Sequence, residues 1–375
     1  MRIIRTHTVV EFCILHPVLT TRHYSPHLIF LSVMATARVA INGFGRIGRS
    51  FFRLALGHPD FEVVAINDLG NAENLAYLLQ YDSVYGQLPV AVSLGDGVLQ
   101  VGEQTITLLS ERDPEQLPWG THEIDLVLES TGVFTSYQGA KKHLDAGAKH
   151  VVVSAPVKDD PEAAGVSGAT ILMGVNDASL ATCSVTSNAS CTTNATSPLI
   201  AILKETVGVE KAVLNTVHAY TSTQSLVDGP SKKDLRRGRA AALNIIPSTT
   251  GAAVATTMAH TELAGKFDGM ALRVPVPVGS VVDVTFLASA PTSVEAVNAA
   301  LTEAAQSERW HNLFAVTNEP IVSSDIVGAR VGSIADLSFT RVVDGDLVKV
   351  LAWYDNETSY CQTLVEHVRA AVKKT

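Results

Sequence analysis

The sequence predicts an α/β protein in two parts: a parallel sheet covered by helices, then a mixed or antiparallel sheet with helices on one side. In the first half, short apolar runs alternate with stretches of helical spacing. In the second half, the predicted strands are longer and the helices fewer. With 375 residues, 46% apolar and 17% charged, the chain can bury two separate cores.

The first half reads as strand and helix in alternation. Apolar runs at 39–41 and 61–66 flank a stretch of helical spacing at 47–56. Further buried strands are predicted at 125–129 and 150–153, with a short helix at 140–148 between them. Continuous apolar runs of this kind are typical of parallel strands that are buried on both faces.

The second half changes character near residue 191. One clear helix is predicted at 293–306, and the tail at 363–373 also has helical spacing and is expected to pack back onto the first domain. This pattern favours an α+β domain. The longer strands are predicted at 212–218, 269–276, 281–287 and 346–353.

We therefore predict a first domain at 35–190, completed by a C-terminal helix at 357–375, and a second domain at 191–356. Residues 1–34 read as an extension, because the first 33 are basic and show no strand or helix period. Their apolar stretches are far shorter than the roughly 20 residues needed to span a bilayer. A misassigned start or a disordered extension is the expectation, with an organellar transit peptide as the open alternative.

Composition excludes several classes of function. A net charge of −9 disfavours non-specific binding to nucleic acid or to an anionic membrane. Cys13, Cys183, Cys191 and Cys361 form no CxxC pair and no metal-ligand spacing. The sequence thus predicts no metal site and no disulfide framework, and it favours a reducing, cytoplasmic location.

A glycine-rich turn follows the first predicted strand. Gly43, Gly45 and Gly48 match the pattern GxGxxG, and Asp68 closes the second strand. Such glycines allow a tight turn, close approach of a pyrophosphate, and close helix–strand packing, as in a Rossmann-type domain. A carboxylate at Asp68 can bind the adenosine ribose hydroxyls and would repel a 2′-phosphate, which favours NAD over NADP. The alternative is a plain glycine turn with a surface aspartate.

A cysteine and a histidine are candidates for nucleophilic catalysis. Cys191 lies in a polar stretch just before a helical run at 198–206, so it could sit near a helix N-terminus that favours the thiolate. His218 ends a strand-like run and is the best candidate for its base. The residue types alone leave open that Cys191 is a small buried hydrophobe.

Arginines supply candidate anion-binding groups. Arg236, Arg237 and Arg239 lie close together, and Arg273 stands inside an otherwise apolar run. A charge in a buried strand needs a carboxylate or a bound anion as partner. A network of salt bridges between domains or subunits remains the alternative for the arginine-rich stretch.

These pieces, in this order, resemble the glyceraldehyde-3-phosphate dehydrogenase family over residues 35–375. Several independent motifs in one order are stronger evidence than any one of them. The matching motifs are INGFGRIGR, AIND, ESTGVF, VVVSAP, SNASCTTN, HAYT, DLRRGRAAALNIIPSTTGAA, GMALRVP and WYDNE.

The resemblance implies Cys191 as nucleophile and His218 as its base, and it implies Asn356 as the residue that holds the nicotinamide carboxamide. Besides the three glycines, the residues implied to contact NAD are Arg46, Ile47, Asp68, Arg112, Ser154 and Asn356. Those implied to line two anion pockets, one for the substrate's phosphate and one for inorganic phosphate, are Ser190, Thr192, Thr221, Arg237, Thr250, Gly251 and Arg273.

The activity implied is the NAD-dependent, phosphorylating oxidation of D-glyceraldehyde 3-phosphate to 1,3-bisphosphoglycerate through a thioester on Cys191, a step of glycolysis and gluconeogenesis. Leu69 and Pro230 resemble the NAD-using branch of the family. The resemblance also implies a homotetramer in which the loop at 220–243 packs near a neighbour's cofactor. Two alternatives remain: an erythrose-4-phosphate dehydrogenase and a non-catalytic binding member of the family.

Some positions depart from the family pattern without removing a catalytic group. Ala195 stands where a second cysteine is common, and Val254 stands where a lysine is common. Thr358 and Ser359 replace Trp-Gly near the expected nicotinamide site, which leaves the cofactor affinity open.

Overall fold

The computed structural model describes residues 36–231 and 234–374. The predicted extension at 1–34 lies outside the described residues. The described chain contains two large sheets and one two-stranded ribbon. None of its helices is both long and apolar enough to cross a membrane.

The first half of the chain builds a nine-stranded sheet, with order β10-β11-β9-β8-β1-β2-β7-β6-β5, and the small ribbon β3-β4. Its helices are α1 Arg46–Ala55, α2 Ala72–Gln80 and α3 Tyr137–Asp145. Its strands are β1 Ala37–Asn42, β2 Phe61–Asn67, β3 Tyr81–Asp82, β4 Gly86–Gln87, β5 Val92–Gly95, β6 Val98–Val101, β7 Gln104–Leu109, β8 Leu126–Glu129, β9 His150–Val153, β10 Gly168–Thr170 and β11 Val185–Ser187.

The centre of this sheet is parallel. Strand β1 pairs in parallel with both β2 and β8, and the parallel order continues through β9, β11 and β10. Only the hairpins β5-β6 and β6-β7 are antiparallel. The middle strands are almost wholly buried, because helices cover both faces. The carboxyl ends of β1, β2 and β8 therefore meet at one edge of the sheet.

The second half builds a seven-stranded mixed sheet, with order β13-β14-β12-β15-β18-β17-β16. Its helices are α4 Cys191–Thr206, α5 Ala252–Ala259, α6 Val294–Ala305 and α7 Thr358–Val372. Its strands are β12 Lys211–Ala219, β13 Ile246–Thr249, β14 Phe267–Val274, β15 Ser280–Leu287, β16 Phe314–Thr317, β17 Ser333–Val343 and β18 Leu347–Tyr354. Strand alternation buries one face of this sheet, with Ala212, Leu214, Val282, Val284 and Val350 in the core.

The predicted fold class is confirmed: a parallel-dominated sheet is followed by a mixed one. The largest boundary error is the start of a helix. The helix predicted at 198–206 is the second part of α4, which starts at Cys191. Its first turns escaped prediction because the residues at 192–197 are polar or small yet buried, so no apolar period marks them. The tail helix α7 does pack against α1 of the first half.

Candidate active site

Three polar side chains meet at the carboxyl edge of the first sheet. Asn42, Asn67 and Glu129 are the last residues of β1, β2 and β8. Asn42 Nδ2 donates to Glu129 Oε2 at 2.6 Å, and Asn67 Nδ2 donates to Asn42 Oδ1 at 2.7 Å. All three are at most 4% exposed. Parallel pairing brings them together because equivalent strand ends lie side by side.

A tryptophan and a histidine complete this cluster and fix its proton positions. Trp119 Nε1 donates to His143 Nδ1 at 3.0 Å, and an indole N–H can only donate. His143 Nδ1 therefore accepts, and its Nε2 carries the proton that faces Glu129 Oε2 at 3.1 Å. The other carboxylate oxygen of Glu129 accepts from the N–H of Thr131 at 2.8 Å and from its hydroxyl. Every side-chain polar atom of the cluster is paired.

The glycine loop lies directly over this cluster. Gly43 has φ +95°, and a Cβ there would lie 2.5 Å from the backbone nitrogen of Thr131. A Cβ on Gly48 would lie 2.2 Å from the carbonyl oxygen of Gly43. A Cβ on Gly45 would meet nothing within 4 Å, so the backbone there is open to a ligand. The glycines thus satisfy the three requirements of a dinucleotide-binding turn.

Asp68 connects the loop to the second strand. Its Oδ2 accepts from the N–H of Phe44 at 2.6 Å, and its Oδ1 accepts from the N–H of Gly70 at 2.7 Å. A cavity of about 320 Å³ opens here. Its lining includes Asn42, Gly43, Gly45, Asn67, Asp68, Leu69, Glu111, Arg112, Ser130 and Thr131.

A second cavity, of about 280 Å³, lies at the start of α4. Cys191 is the first residue of that helix, and Ser190 caps it by accepting from the N–H of Thr193 at 3.1 Å. The predicted position of Cys191 near a helix N-terminus is confirmed. The lining includes Arg46, Ile47, Ser154, Ser190, Cys191, His218, Thr221, Arg273, Asn356, Glu357 and Tyr360.

The register of the second sheet brings His218 beside Arg273. The two residues are direct partners on the parallel strands β12 and β14. His218 Nε2 lies 3.3 Å from Cys191 Sγ. Its Nδ1 lies 2.7 Å from Arg273 Nη1 and 2.6 Å from the carbonyl oxygen of Ala219. Since a guanidinium only donates and a carbonyl only accepts, the two contacts require opposite protonation of Nδ1.

Burial and charge shift the pKa values of this group. Burial, and then the charge of Arg273, lower the pKa of His218 to about 3. Burial raises the pKa of the Cys191 thiol, while Arg273 and hydrogen bonds from Thr192 act against that rise. Burial also lowers the pKa of Arg273. The guanidinium of Arg273, the imidazole of His218 and the thiol of Cys191 are packed together here. No carboxylate among the described residues forms an ion pair with Arg273.

Asn356 has a side-chain nitrogen that is free to bind a ligand, whereas the side chain of Arg46 is already paired within the chain. Asn356 Oδ1 accepts from the N–H of Gly279 at 3.2 Å and from Ser280 Oγ at 3.1 Å, so its orientation is fixed. Nothing in the described part of the chain pairs with its Nδ2, which is free to donate to a ligand. Arg46 instead forms ion pairs with Asp82 and Glu357.

Four of the predicted anion-binding residues do not line this cavity. Thr192 is buried, and its hydroxyl lies 2.9 Å from the hydroxyl of Tyr354. Arg237 donates to Ser248 Oγ at 2.6 Å. Thr250 and Gly251 form the turn before α5, where the Thr250 hydroxyl accepts from the N–H of Ala252 at 3.2 Å. Their roles stay predictions, whereas Ser190, Thr221 and Arg273 share the cavity with Cys191.

Comparison with known proteins decides the family. The family model described as the NAD binding domain of glyceraldehyde 3-phosphate dehydrogenase matches residues 37–137, and the C-terminal domain model matches 190–356. A glyceraldehyde-3-phosphate dehydrogenase of Geobacillus stearothermophilus is 49% identical over 331 residues, which is 88% of this chain and 96% of the relative. The chain belongs to the glyceraldehyde-3-phosphate dehydrogenase family.

Other members of the glyceraldehyde-3-phosphate dehydrogenase family match equally well. Relatives of that name from Streptomyces coelicolor and Mycobacterium tuberculosis are 47% and 49% identical. The alignments cover 88% and 89% of this chain and 97% and 98% of the relatives. The predicted resemblance is confirmed, and with it an NAD-dependent oxidoreductase. The open glycine loop and the cavity beside Asp68 fit that cofactor.

Sequence reasoning missed several members of the site. Glu357 and Tyr360 line the cavity of Cys191 in this glyceraldehyde-3-phosphate dehydrogenase family member, and Glu129 lies in the hydrogen-bonded cluster beneath the glycine loop. Glu129 could have been found, since a carboxylate that ends a buried strand needs partners.

The described residues also contain no group of three or more His, Cys, Asp or Glu side chains that could hold a metal ion.

Proposed function

We propose that this chain oxidises D-glyceraldehyde 3-phosphate with NAD and inorganic phosphate, giving 1,3-bisphosphoglycerate and NADH. The observation that carries the proposal is the position of Cys191 at the first residue of α4, with its Sγ 3.3 Å from His218 Nε2. A thiolate beside a helix N-terminus and an imidazole is the arrangement of an activated nucleophile. The names of the relatives supply the substrate.

For the cofactor, we assign the adenosine end to the cavity lined by Asp68 and Arg112, and the nicotinamide end to the cavity of Cys191. The glycine loop would hold the pyrophosphate at Gly43, Gly45 and Gly48. Arg46, Ile47 and Ser154 line the second cavity with Asn356, whose free Nδ2 can donate to a carboxamide oxygen. When bound, NAD supplies a hydride acceptor.

The first step assigned to the chain's own residues is attack on the aldehyde. His218 Nε2 takes the thiol proton as Cys191 Sγ forms a bond to the carbonyl carbon, and the carbonyl oxygen gains that proton from His218 to give a hemithioacetal. The N–H groups at the start of α4 lie where they can stabilise the oxyanion. As the carbon loses its hydride, His218 takes the hydroxyl proton back, and a thioester on Cys191 remains.

The second step is transfer of the acyl group to phosphate. A phosphate oxygen forms a bond to the thioester carbon, and the carbon–sulfur bond breaks to return the Cys191 thiolate. Arg273 fits an anion, because Arg273 Nε is buried and without a partner among the described residues. An anion that engages Arg273 leaves His218 Nδ1 to donate to the Ala219 carbonyl, which makes Nε2 the basic nitrogen. We propose Ser190, Thr192, Thr221, Arg237, Thr250 and Gly251 as further phosphate ligands.

The test is NADH formation from glyceraldehyde 3-phosphate and NAD, with and without inorganic phosphate, for the wild type and for C191S. We expect phosphate-dependent turnover that falls by at least about 1,000-fold in C191S, because a serine hydroxyl is a far weaker nucleophile than a thiolate at neutral pH. C183S is the matched control, since Cys183 is a free cysteine outside the site and should keep wild-type turnover.

Two other outcomes of this assay would favour a different function. Higher turnover on erythrose 4-phosphate would favour that dehydrogenase instead. Absence of turnover on both aldehydes would favour a non-catalytic binding member of the family.

We also propose that the chain assembles as a homotetramer. Two apolar surfaces support assembly. One face of the second sheet exposes Val213, which is 61% exposed, and Met270. The loop around 220–243 exposes Leu235 and Leu243, which are 85% and 83% exposed. Large apolar side chains in clusters of this kind are typical of contact surfaces. Light scattering in solution tests the assembly: a monomer at assay concentration would contradict it.

We further propose the domain division 35–190, 191–356 and 357–375 and a cytoplasmic location. The change of sheet between β11 and β12 supports the division, and limited proteolysis near residue 190 would test it. The described cysteines Cys183, Cys191 and Cys361 are free, which suits a reducing compartment. Cell fractionation tests the location.

A further inference from the structure

The turn that delivers Cys191 has an unfavourable backbone. Ala189, two residues before Cys191, has φ +54°, in the left-handed region that a residue with a Cβ rarely adopts. It is also fully buried. Such a conformation persists only where its surroundings enforce it. The groups that hold Ala189 therefore also set the position of the Cys191 thiol.

Hydrogen bonds from residues close to Ala189 in sequence supply part of this restraint. The N–H of Ala189 donates to Ser187 Oγ at 3.0 Å. Asn194, one turn into α4, donates from Nδ2 to the carbonyl oxygens of Asn188 at 2.6 Å and Ser190 at 3.0 Å. These contacts are local in sequence and hold the two sides of the turn.

The remaining restraint comes from α7, more than 170 residues further along the chain. Tyr360 donates its hydroxyl to the carbonyl oxygen of Ala189 at 3.1 Å. Asn188 Nδ2 donates to Thr363 Oγ1 at 3.1 Å, and Asn188 Oδ1 lies 3.0 Å from His367 Nδ1. Asn188 is fully buried, so the oxygen of its amide depends on His367 as its donor among the described residues.

A hydrogen bond inside α7 decides which groups donate and which accept around Asn188. Thr363 donates its only hydroxyl proton to the carbonyl oxygen of Tyr360 at 2.8 Å, so it can only accept from Asn188. Asn188 Oδ1 then faces His367 Nδ1, which carries the ring proton. The other ring nitrogen, His367 Nε2, lies 2.9 Å from Thr186 Oγ1. Both nitrogens of a fully buried ring are thus in use.

We propose that His367 is a positioning residue for Cys191, which acts through Asn188 to hold the turn that presents the thiol. The role of His367 rests on the proposed role of Cys191 as nucleophile. Because α7 begins just after Asn356, the same helix would hold the thiol and the predicted nicotinamide ligand in register. The competing reading is a core histidine whose two hydrogen bonds stabilise the fold without any effect on the thiol.

Replacement of His367 by asparagine or by glutamine distinguishes a positioning role from a purely structural one. In H367N the side-chain amide reaches the position of Nδ1 and can still pair with Asn188. In H367Q the amide reaches the position of Nε2, so it pairs with Thr186 and leaves Asn188 Oδ1 without its donor. Each variant loses one of the two hydrogen bonds of His367. In H367N the Thr186 hydroxyl keeps its contact with His150 Nε2 at 3.1 Å, whereas in H367Q the oxygen of Asn188 loses its donor, so H367Q should lose somewhat more thermal stability. The two variants are therefore compared at a temperature at which both are fully folded.

The measurement is the rate at which iodoacetamide alkylates Cys191, followed by mass spectrometry of its peptide, together with kcat and KM. We expect H367Q to lower the alkylation rate and kcat by about tenfold, since a displacement of about 1 Å can cost about 100-fold. The KM for NAD should stay within about twofold, and H367N should stay within about threefold of wild type throughout.

Equal losses in the two variants, or losses that follow only thermal stability, would overturn the positioning role. So would wild-type rates in both variants. Alkylation needs no substrate, so the comparison of H367N with H367Q remains informative even if the wild type fails to oxidise glyceraldehyde 3-phosphate. That second failure would count against the proposed function alone.

Discussion

The floor of the proposed cofactor cavity, beside Asp68, and the proposed catalytic cavity, beside Cys191, are built in opposite ways. In the floor, Asn42, Asn67, Glu129 and His143 pair all their side-chain polar atoms with one another or with neighbours. In and beside the catalytic cavity, the Nε atoms of Arg237 and Arg273 are buried without a hydrogen-bond partner within the described chain. Arg237 Nε has a carboxylate nearby, Asp234 Oδ2 at 3.9 Å, whereas no ion pair is formed by Arg273 among the described residues. The first region is complete without a ligand, whereas the second leaves the buried cation of Arg273 without a carboxylate, and an anion would satisfy it.

This difference follows from what each region has to bind. A dinucleotide needs a backbone loop held in one shape, and a closed network of hydrogen bonds provides it without a net cation. A phosphorylated substrate needs donors that are not already in use. The depressed pKa of Arg273 and the pKa of about 3 at His218 have the same origin, because burial opposes each positive charge in a cavity without a carboxylate beside Arg273.

The largest expected effect comes from the base of the catalytic region. We expect H218Q to lower kcat by about 10² to 10⁴-fold, since that is the usual contribution of a general base. Gln keeps a polar group near Cys191 but cannot take up a proton. NAD affinity, measured by calorimetry, should stay near wild type because His218 is not among the residues assigned to bind NAD and lies outside the cavity of Asp68, where the adenosine end is assigned. A kcat within tenfold of wild type would remove His218 from its role.

Removal of the unpaired cation should have the next largest effect. We expect R273M to lower kcat/KM for glyceraldehyde 3-phosphate by about 30-fold, because a hydrogen bond to a charged group contributes about 2 kcal/mol. Arg273 also lowers the pKa of His218, so its removal should move the corresponding limb of the pH–rate profile to higher pH. R236M is the matched control, since Arg236 is exposed. An unshifted profile in R273M would contradict the electrostatic coupling.

Much of the cofactor site was predictable from the sequence because its signals are local. The three glycines and Asp68 lie within one strand–helix–strand unit, where spacing alone carries the geometry. Cys191 and His218 were also identified as candidates, but their separation of 3.3 Å required the whole second sheet. The resemblance to a family, rather than periodicity, supplied the other roles.

Other contacts could not be predicted because they depend on strand register and on long separations. The pairing of His218 with Arg273 depends on the parallel alignment of β12 with β14, which joins residues 55 apart in sequence. The contact between Asn188 and His367 joins residues 179 apart. The start of α4 was missed because its polar side chains are buried by tertiary packing, which no local pattern reports.

The closed network of the first region can be tested by one substitution of nearly equal shape. Four hydrogen-bond donors surround the Glu129 carboxylate. In E129Q, one carboxylate oxygen is replaced by an NH₂ group, which is itself a donor, so at least one donor would face another. We expect the Kd for NAD to rise by about tenfold, because a broken buried hydrogen bond costs about 1 to 3 kcal/mol. The value of kcat at saturating NAD should change by less than about twofold. A loss of kcat with unchanged NAD affinity would mean that Glu129 serves the catalytic region instead.

The smallest effect concerns stability in acid. His218 is neutral in the folded chain, with a pKa of about 3 against an ordinary value of 6.5. Between these values the unfolded chain binds a proton that the folded chain does not, so the stability that His218 contributes is complete above pH 6.5 and is lost as the pH falls towards 3. One such group changes the unfolding free energy by at most about 1.4 kcal/mol per pH unit.

Urea unfolding at several pH values between 4 and 7 measures this slope, with the pH range set by the two pKa values. We expect H218Q to show a shallower loss of stability in acid than the wild type, while R236M keeps the wild-type slope. R273M should fall between them, because removal of the cation moves the His218 pKa back towards its ordinary value. Identical slopes in all four proteins would mean that His218 accepts its proton without unfolding, and the catalytic cavity would then be more open to water than its burial indicates.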